Sequence, residues 1–127
     1  MRKPLKIGIV AFNLVPGKTG GAEVYLHDLI ETIGRLDKKN EYFVFIRAEH
    51  DKSIDVIGSR VQKILIKESL LNKLVRRALK AIGINANQIA REINAYKLDI
   101  VHFPLHVMLP GGLKGKKVIT VVDIQQE

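Results

Sequence analysis

Residues 5–36 read LKIGIVAF-NLVPGKTGG-AEVYLHDLIETIGRL, and this stretch decides the fold. Residues 5–12 are a short apolar run rich in Ile and Val, bounded by Pro4 and by Asn13 with Pro16-Gly17 beyond it. Such a run suits a strand buried on both faces, as parallel strands are. A glycine-containing loop follows over 13–21. From residue 22 to 36 the apolar positions Ala22, Tyr25, Leu26, Leu29, Ile30, Ile33 and Leu36 recur at steps of three and four. That spacing predicts a helix with one buried stripe. Glu23 falls in its first turn, where a carboxylate suits the helix dipole.

The same alternation continues outward. Residues 37–40 (DKKN) are a turn, and 41–46 (EYFVFI) are aromatic and β-branched, hence a second strand. Residues 48–60 are polar and read as a loop, and 61–66 (VQKILI) as a third strand. A second helix is predicted over 69–82, with Ser69 as N-cap and Gly83 just past its end. A third helix covers 85–96, a fourth strand 99–103, a loop 104–115 and a fifth strand 116–122. Strands alternating with helices predict an α/β, Rossmann-like, doubly wound and mainly parallel sheet flanked by helices. The chain closes with DIQQE, residues 123–127, directly after a strand read as buried. Ligands of open α/β sheets bind outside the carboxyl ends of the strands. The sequence stops where a site-forming loop should begin, so the expectation is one domain, 1–127, of a longer protein.

The 127 residues suit one domain, and 46% hydrophobic with 27% charged residues is a globular balance. With no cysteine, a disulfide framework, a thiolate zinc site and a cysteine nucleophile are excluded, and a reducing compartment fits. No apolar run reaches the roughly 18 residues of a membrane span. The basic start Met1-Arg2-Lys3-Pro4 is followed by too short an apolar stretch, without a cleavage site, for a signal peptide. The formal net charge of +8 points to an anionic partner.

Within the first loop, Gly17-Lys18-Thr19 invites a phosphate-loop reading. That motif needs a glycine where Phe12 stands, and its Lys-Thr should open the helix, where Gly20, Gly21 and Ala22 do so instead. The dinucleotide fingerprint G-x-G-x-x-G is not matched either, which disfavours a nicotinamide-dependent oxidoreductase. Paired glycines at a helix start remain. They let the backbone approach a ligand closely, and the free N–H groups favour an anion such as a diphosphate. A tight turn without a ligand fits the same residues.

Residues 69–82 (SLLNKLVRRALKAI) form a basic amphipathic pattern: Leu70, Leu71, Leu74, Val75, Ala78, Leu79 and Ile82 share one face, and Lys73, Arg76, Arg77 and Lys80 lie off it. Between Arg60 and Lys80 seven basic residues stand against one acid, most of the chain's excess charge. Such a helix can lie on an anionic bilayer, or it can pack on the sheet with a solvated cationic face. Nucleic-acid binding is disfavoured, because aromatics are only 6% and tryptophan is absent. His27 and His50 fall on a polar helix face and in a loop, His102 inside a strand, and His106 just past a strand's carboxyl end. No metal-ligand spacing joins them. His106 is the cleft candidate and His102 a structural residue.

Taken together, KIGIVAF, GGAEVYLHDLIETI, NEYFVFI, LDIVHFPLHVMLP and KVITVVDIQQE resemble the N-terminal domain of a family 4 glycosyltransferase of the GT-B fold. The Gly20-Gly21-x-Glu23 element is a hallmark of that family, and the closing strand with Asp123 is similar to its Thr-Val-His-Asp segment. The resemblance implies two Rossmann-like domains facing a cleft. The N-terminal one binds a glycan or lipid-linked acceptor, and the C-terminal one, absent from this chain, holds a UDP- or GDP-linked hexose. It implies transfer with retained configuration, no metal or other cofactor, and a fragment inactive by itself. Gly20 and Gly21 would bind the donor phosphates. His106 and Asp123 would line the cleft, with Glu23 supporting the glycine turn; the catalytic residues stay unassigned. Lys73, Arg76, Arg77 and Lys80 would suit docking on the inner membrane face, in keeping with a cytoplasmic, peripheral location. One departure stands out: Val122 replaces the family's histidine and cannot bond a sugar hydroxyl. The alternative from another class is a non-catalytic module that binds nucleotides or docks on an anionic membrane.

Overall fold

In the computed structural model, the first strand, β1 (Lys6–Val10), is the middle of a five-stranded parallel sheet. The structure describes residues 3–12, 14, 17, 21–56, 58–67, 70–81, 88–105 and 110–121; the side chains of residues 70, 71, 72 and 76 lie outside that description. After β1 come α1 (Gly21–Leu36), β2 (Glu41–Arg47), a 3-10 turn (Ala48–Ser53) and β3 (Val61–Ile66). Then follow α2 (Leu70–Ala81), α3 (Gln88–Asn94), β4 (Ile100–Phe103) and β5 (Lys116–Ile119). The strand order is β3-β2-β1-β4-β5, every pair parallel. The predicted α/β, Rossmann-like class is the observed one. The order reverses direction between β1 and β4, because the chain first winds outward to β3 and then returns to the other side of β1.

Alternation along the strands sorts the core into two layers. Ile9, Val44, Ile46 and Val61 face α1 and pack on its Leu26 and Ile30, together with Ile54 and Leu105. Val10, Phe43, Phe45, Val101 and Phe103 face the opposite side and pack on Ala90 and Ile93 of α3 and on Leu98. Tyr96 adds its ring there, tilted on Phe43 at 5.1 Å and edge-on to Phe45 at 5.3 Å. Both faces of β1 and β2 are therefore covered, as their unbroken apolar runs predict.

Three features differ from the sequence reading. The stripe of α1 ends one residue pair early: Gly34 is buried, whereas Leu36 is 77% exposed. Gly58 lies against Gly34, where a Cβ on Gly58 would come within 2.6 Å of the Gly34 carbonyl oxygen. The stretch read as a loop over 48–60 holds a short 3-10 turn that carries Ile54 into the α1-side core. Finally, β5 is exposed at all four residues, not buried. It is an edge strand, and nothing among the described residues covers its outer side. The expected caps of α2, Ser69 and Gly83, lie outside the described residues.

At the amino ends of the strands, side chains close the turns. Asp37 accepts hydrogen bonds from the Tyr42 hydroxyl (2.6 Å) and from the Lys39 and Asn40 backbone N–H groups (2.9 and 3.0 Å). Asn40 in turn accepts from Leu5 N–H at 3.0 Å, and Asp99 accepts from Lys6 N–H at 2.8 Å. These bonds hold β1 between its two neighbours at the end opposite the candidate site.

Candidate functional site

Three elements meet at the carboxyl edge of the sheet. Leaving β1, the chain makes a turn in which Leu14 N–H bonds the Ala11 carbonyl at 3.2 Å. Arg47, the last residue of β2, donates from Nε to the Phe12 carbonyl at 3.0 Å, anchoring that turn to the neighbouring strand. The loop then passes Gly17, at φ +79°, a conformation that favours glycine. Gly17 N–H donates to Oε2 of Glu23 at 3.0 Å. Glu23 thus ties Gly17 of the loop to the first turn of α1. Its other oxygen lies 4.0 Å from Nε2 of His27, one helical turn on, an ion pair whenever His27 is protonated.

Gly21 opens α1, and a Cβ placed on it would meet no heavy atom within 4 Å. Among the described residues, none imposes a steric demand for glycine there. The first N–H groups of any helix lack intrahelical partners and present a partial positive charge. Glu23 offsets part of that charge, since its carboxylate sits in the same turn.

The third contribution comes from β4 and β5. His102 Nε2 and the Thr120 hydroxyl share a hydrogen bond of 2.7 Å, and Tyr25 Oη lies 3.4 Å from the same hydroxyl. Thr120 is held by its own N–H, which donates to the Phe103 carbonyl at 3.0 Å. The cluster thereby joins the second turn of α1 to the carboxyl ends of β4 and β5. Partial burial disfavours the charged imidazole and lowers the His102 pKa from its ordinary 6.5. His102 thus links β4 to the residue that follows β5. The sequence pattern marks Tyr25 only as a position in the apolar stripe and Thr120 only as a strand position. Arg47 belongs to no sequence motif. The readable signal for Arg47 and Thr120 is a polar residue at the carboxyl end of a strand in an open α/β sheet.

Of the other residues singled out, Gly20, His106, Val122 and Asp123 lie outside the described residues. Lys73, Arg77 and Lys80 are on α2, away from this edge in sequence and in neither buried cluster; the Arg76 side chain lies outside the described residues. Among the described residues, no group of three or more His, Asp or Glu side chains could hold a metal ion. A recess of about 240 Å³, lined by Glu41, Tyr42, Phe43, Ser59, Arg60 and Gln62, lies at the amino ends of β2 and β3, the opposite edge of the sheet. No helix among the described residues is long and apolar enough to cross a membrane. Comparison with protein-family models, with curated proteins and with solved structures finds no match to this chain.

Proposed function

We propose that this chain is the acceptor-side half of a retaining glycosyltransferase, which moves a hexose from a nucleotide-diphosphate sugar to a glycan or lipid-linked acceptor. One observation supports the reading above the others. The strand order reverses between β1 and β4, and ligands of open α/β sheets bind at such a reversal, outside the carboxyl ends. The glycine loop after β1 and the loop after β4 both start there, and both belong to stretches on which the family resemblance rests. In this reading the N–H groups of Gly20 and Gly21 meet the donor diphosphate, which gains negative charge as the glycosidic bond breaks. His106 and Asp123 line the cleft. Glu23 keeps the loop folded and transfers no proton. In this reading a second domain across the cleft holds the nucleotide's base and ribose, and the glycine loop meets its diphosphate.

The test is a transfer assay on the native polypeptide with UDP- and GDP-linked hexoses. Gly21→Ala is the informative variant, because no described residue stands within 4 Å of where its methyl group would lie. The urea midpoint should stay level or rise slightly, since alanine favours a helix by up to about 1 kcal/mol over glycine. Donor turnover should fall tenfold or more. Unchanged turnover in Gly21→Ala, or no transfer from either donor class by the native polypeptide, would overturn the reading.

A further inference from the structure

We propose that the recess at the amino ends of β2 and β3 binds a small zwitterion, a free amino acid, whose carboxylate meets Arg60 and whose ammonium meets Glu41. The site stands at the edge of the sheet opposite the glycine loop and does not rest on the transferase reading. The parallel ladder pairs Tyr42 with Val61 and Phe43 with Gln62. Glu41 and Arg60, one residue earlier on each segment, are therefore neighbours where the ladder begins. Alternation puts Glu41 on the side of Phe43, and Gln62 on the side of Ile64 and Ile66, the sheet face turned away from α1. Glu41 is half-buried, and Ser59, Arg60 and Gln62 are exposed beside it. The volume of about 240 Å³ lies below the roughly 300–1,000 Å³ of sites for drug-sized ligands, so the occupant has few atoms.

Charge selects the occupant. Opposite charges on neighbouring segments can pair directly, as Lys63, further along β3, does with Asp51 at 2.6 Å. Glu41 and Arg60 line one recess, yet among the described residues neither is in an ion pair. A simple anion at Arg60 would be repelled by Glu41, and a simple cation at Glu41 by Arg60. A molecule that carries both charges meets neither penalty. A guanidinium grips a carboxylate through two parallel hydrogen bonds, and the three N–H groups of an ammonium suit the carboxylate of Glu41. The backbone beneath is set without a ligand. Glu41 N–H donates to the Leu5 carbonyl at 2.9 Å, and Tyr42 N–H donates to the Arg60 carbonyl at 2.8 Å. Gly58, at the turn into β3, lies against Gly34. None of these contacts uses the Glu41 or Arg60 side chain, so binding has little backbone left to order.

The experiment is an amide chemical-shift titration of the isotopically labelled full chain with glycine, alanine and β-alanine at neutral pH. Glycinamide and N-acetylglycine, each lacking one of the two charges, are the controls. At millimolar concentration at least one of the three zwitterions should shift residues 41–43 and 59–62. The controls should bind about tenfold more weakly or worse, as expected for the loss of one charge-assisted contact. Glu41→Gln and Arg60→Gln should each weaken the zwitterion by a similar factor and keep the circular dichroism spectrum, since main-chain bonds hold both residues. The controls test the same two contacts without altering the protein. Three results would each overturn the proposal: no shift at the recess with any of the zwitterions, a control that binds as tightly as they do, or an affinity unchanged in either folded variant.

Discussion

Gly58 sits at φ +104°, and a Cβ there would stand 2.6 Å from the Gly34 carbonyl oxygen. Any side chain at 58 must both adopt a left-handed backbone and push α1 off the sheet. Gly58→Ala should therefore lower stability by about 2 kcal/mol, read from the urea midpoint at an unchanged m-value. Asp37 makes a second residue-scale case. Its carboxylate is held well below the usual range, first by the Tyr42 hydroxyl and then by N–H groups of Asn40 and Lys39. Tyr42 is pushed up to about 12, by burial first and by Asp37 second. A carboxyl depressed in the folded state stabilises the fold above its unfolded value near 3.8 and loses that contribution as the pH falls through the folded one. Asp37→Asn should cost about 1 kcal/mol at pH 7, at the modest end because the turn is open to solvent. It should also flatten the acid limb of stability against pH below about 4. None of this was legible in the sequence beyond a polar turn at 37–40. A hydroxyl five residues downstream reaches Asp37 only because β2 starts where the turn ends.

At the scale of elements, strands with a continuous apolar run and a helix with a three-four stripe were legible, because both depend on local spacing. What local spacing could not carry is which faces remain uncovered. The stretch 116–121, KKVITV, has the apolar content of a buried strand, yet β5 forms an edge, and Val118, Ile119 and the following Val121 are exposed. Lys116 and Lys117 at its start discourage pairing with another sheet edge, a familiar protection of such strands. Its attachment rests on the β4 ladder and on the Tyr25–Thr120–His102 cluster. Thr120→Val should destabilise the chain by about 1 kcal/mol, since it leaves the half-buried imidazole without its partner. His102 is held neutral by its surroundings. Its contribution is complete above the ordinary value of 6.5 and falls away below it, as the unfolded chain takes up the proton first. The urea midpoint should drop between pH 7 and pH 5, and His102→Asn should remove that part of the drop.

For the molecule as a whole, the two edges of the sheet divide the labour. The amino edge is a lattice of turn hydrogen bonds that fixes β1 between β2 and β4. The carboxyl edge holds the open start of α1, with Glu23 and Arg47 bracing the loop that leads to it. The class of fold could be read from the order of elements, and the glycine loop from its position after the first strand. The bracing could not, since Arg47 and Phe12 are 35 residues apart and meet only through β1–β2 pairing. The central claim is that this edge receives a nucleoside diphosphate. Its most direct measurement is an amide chemical-shift titration of the isotopically labelled chain with UDP and with GDP. Shifts should concentrate on residues 17–23 and on the loop after Phe103, and Gly21→Ala should weaken them. Shifts confined to the recess around Arg60 and Gln62 at the opposite edge, or none at millimolar nucleotide, would contradict the account.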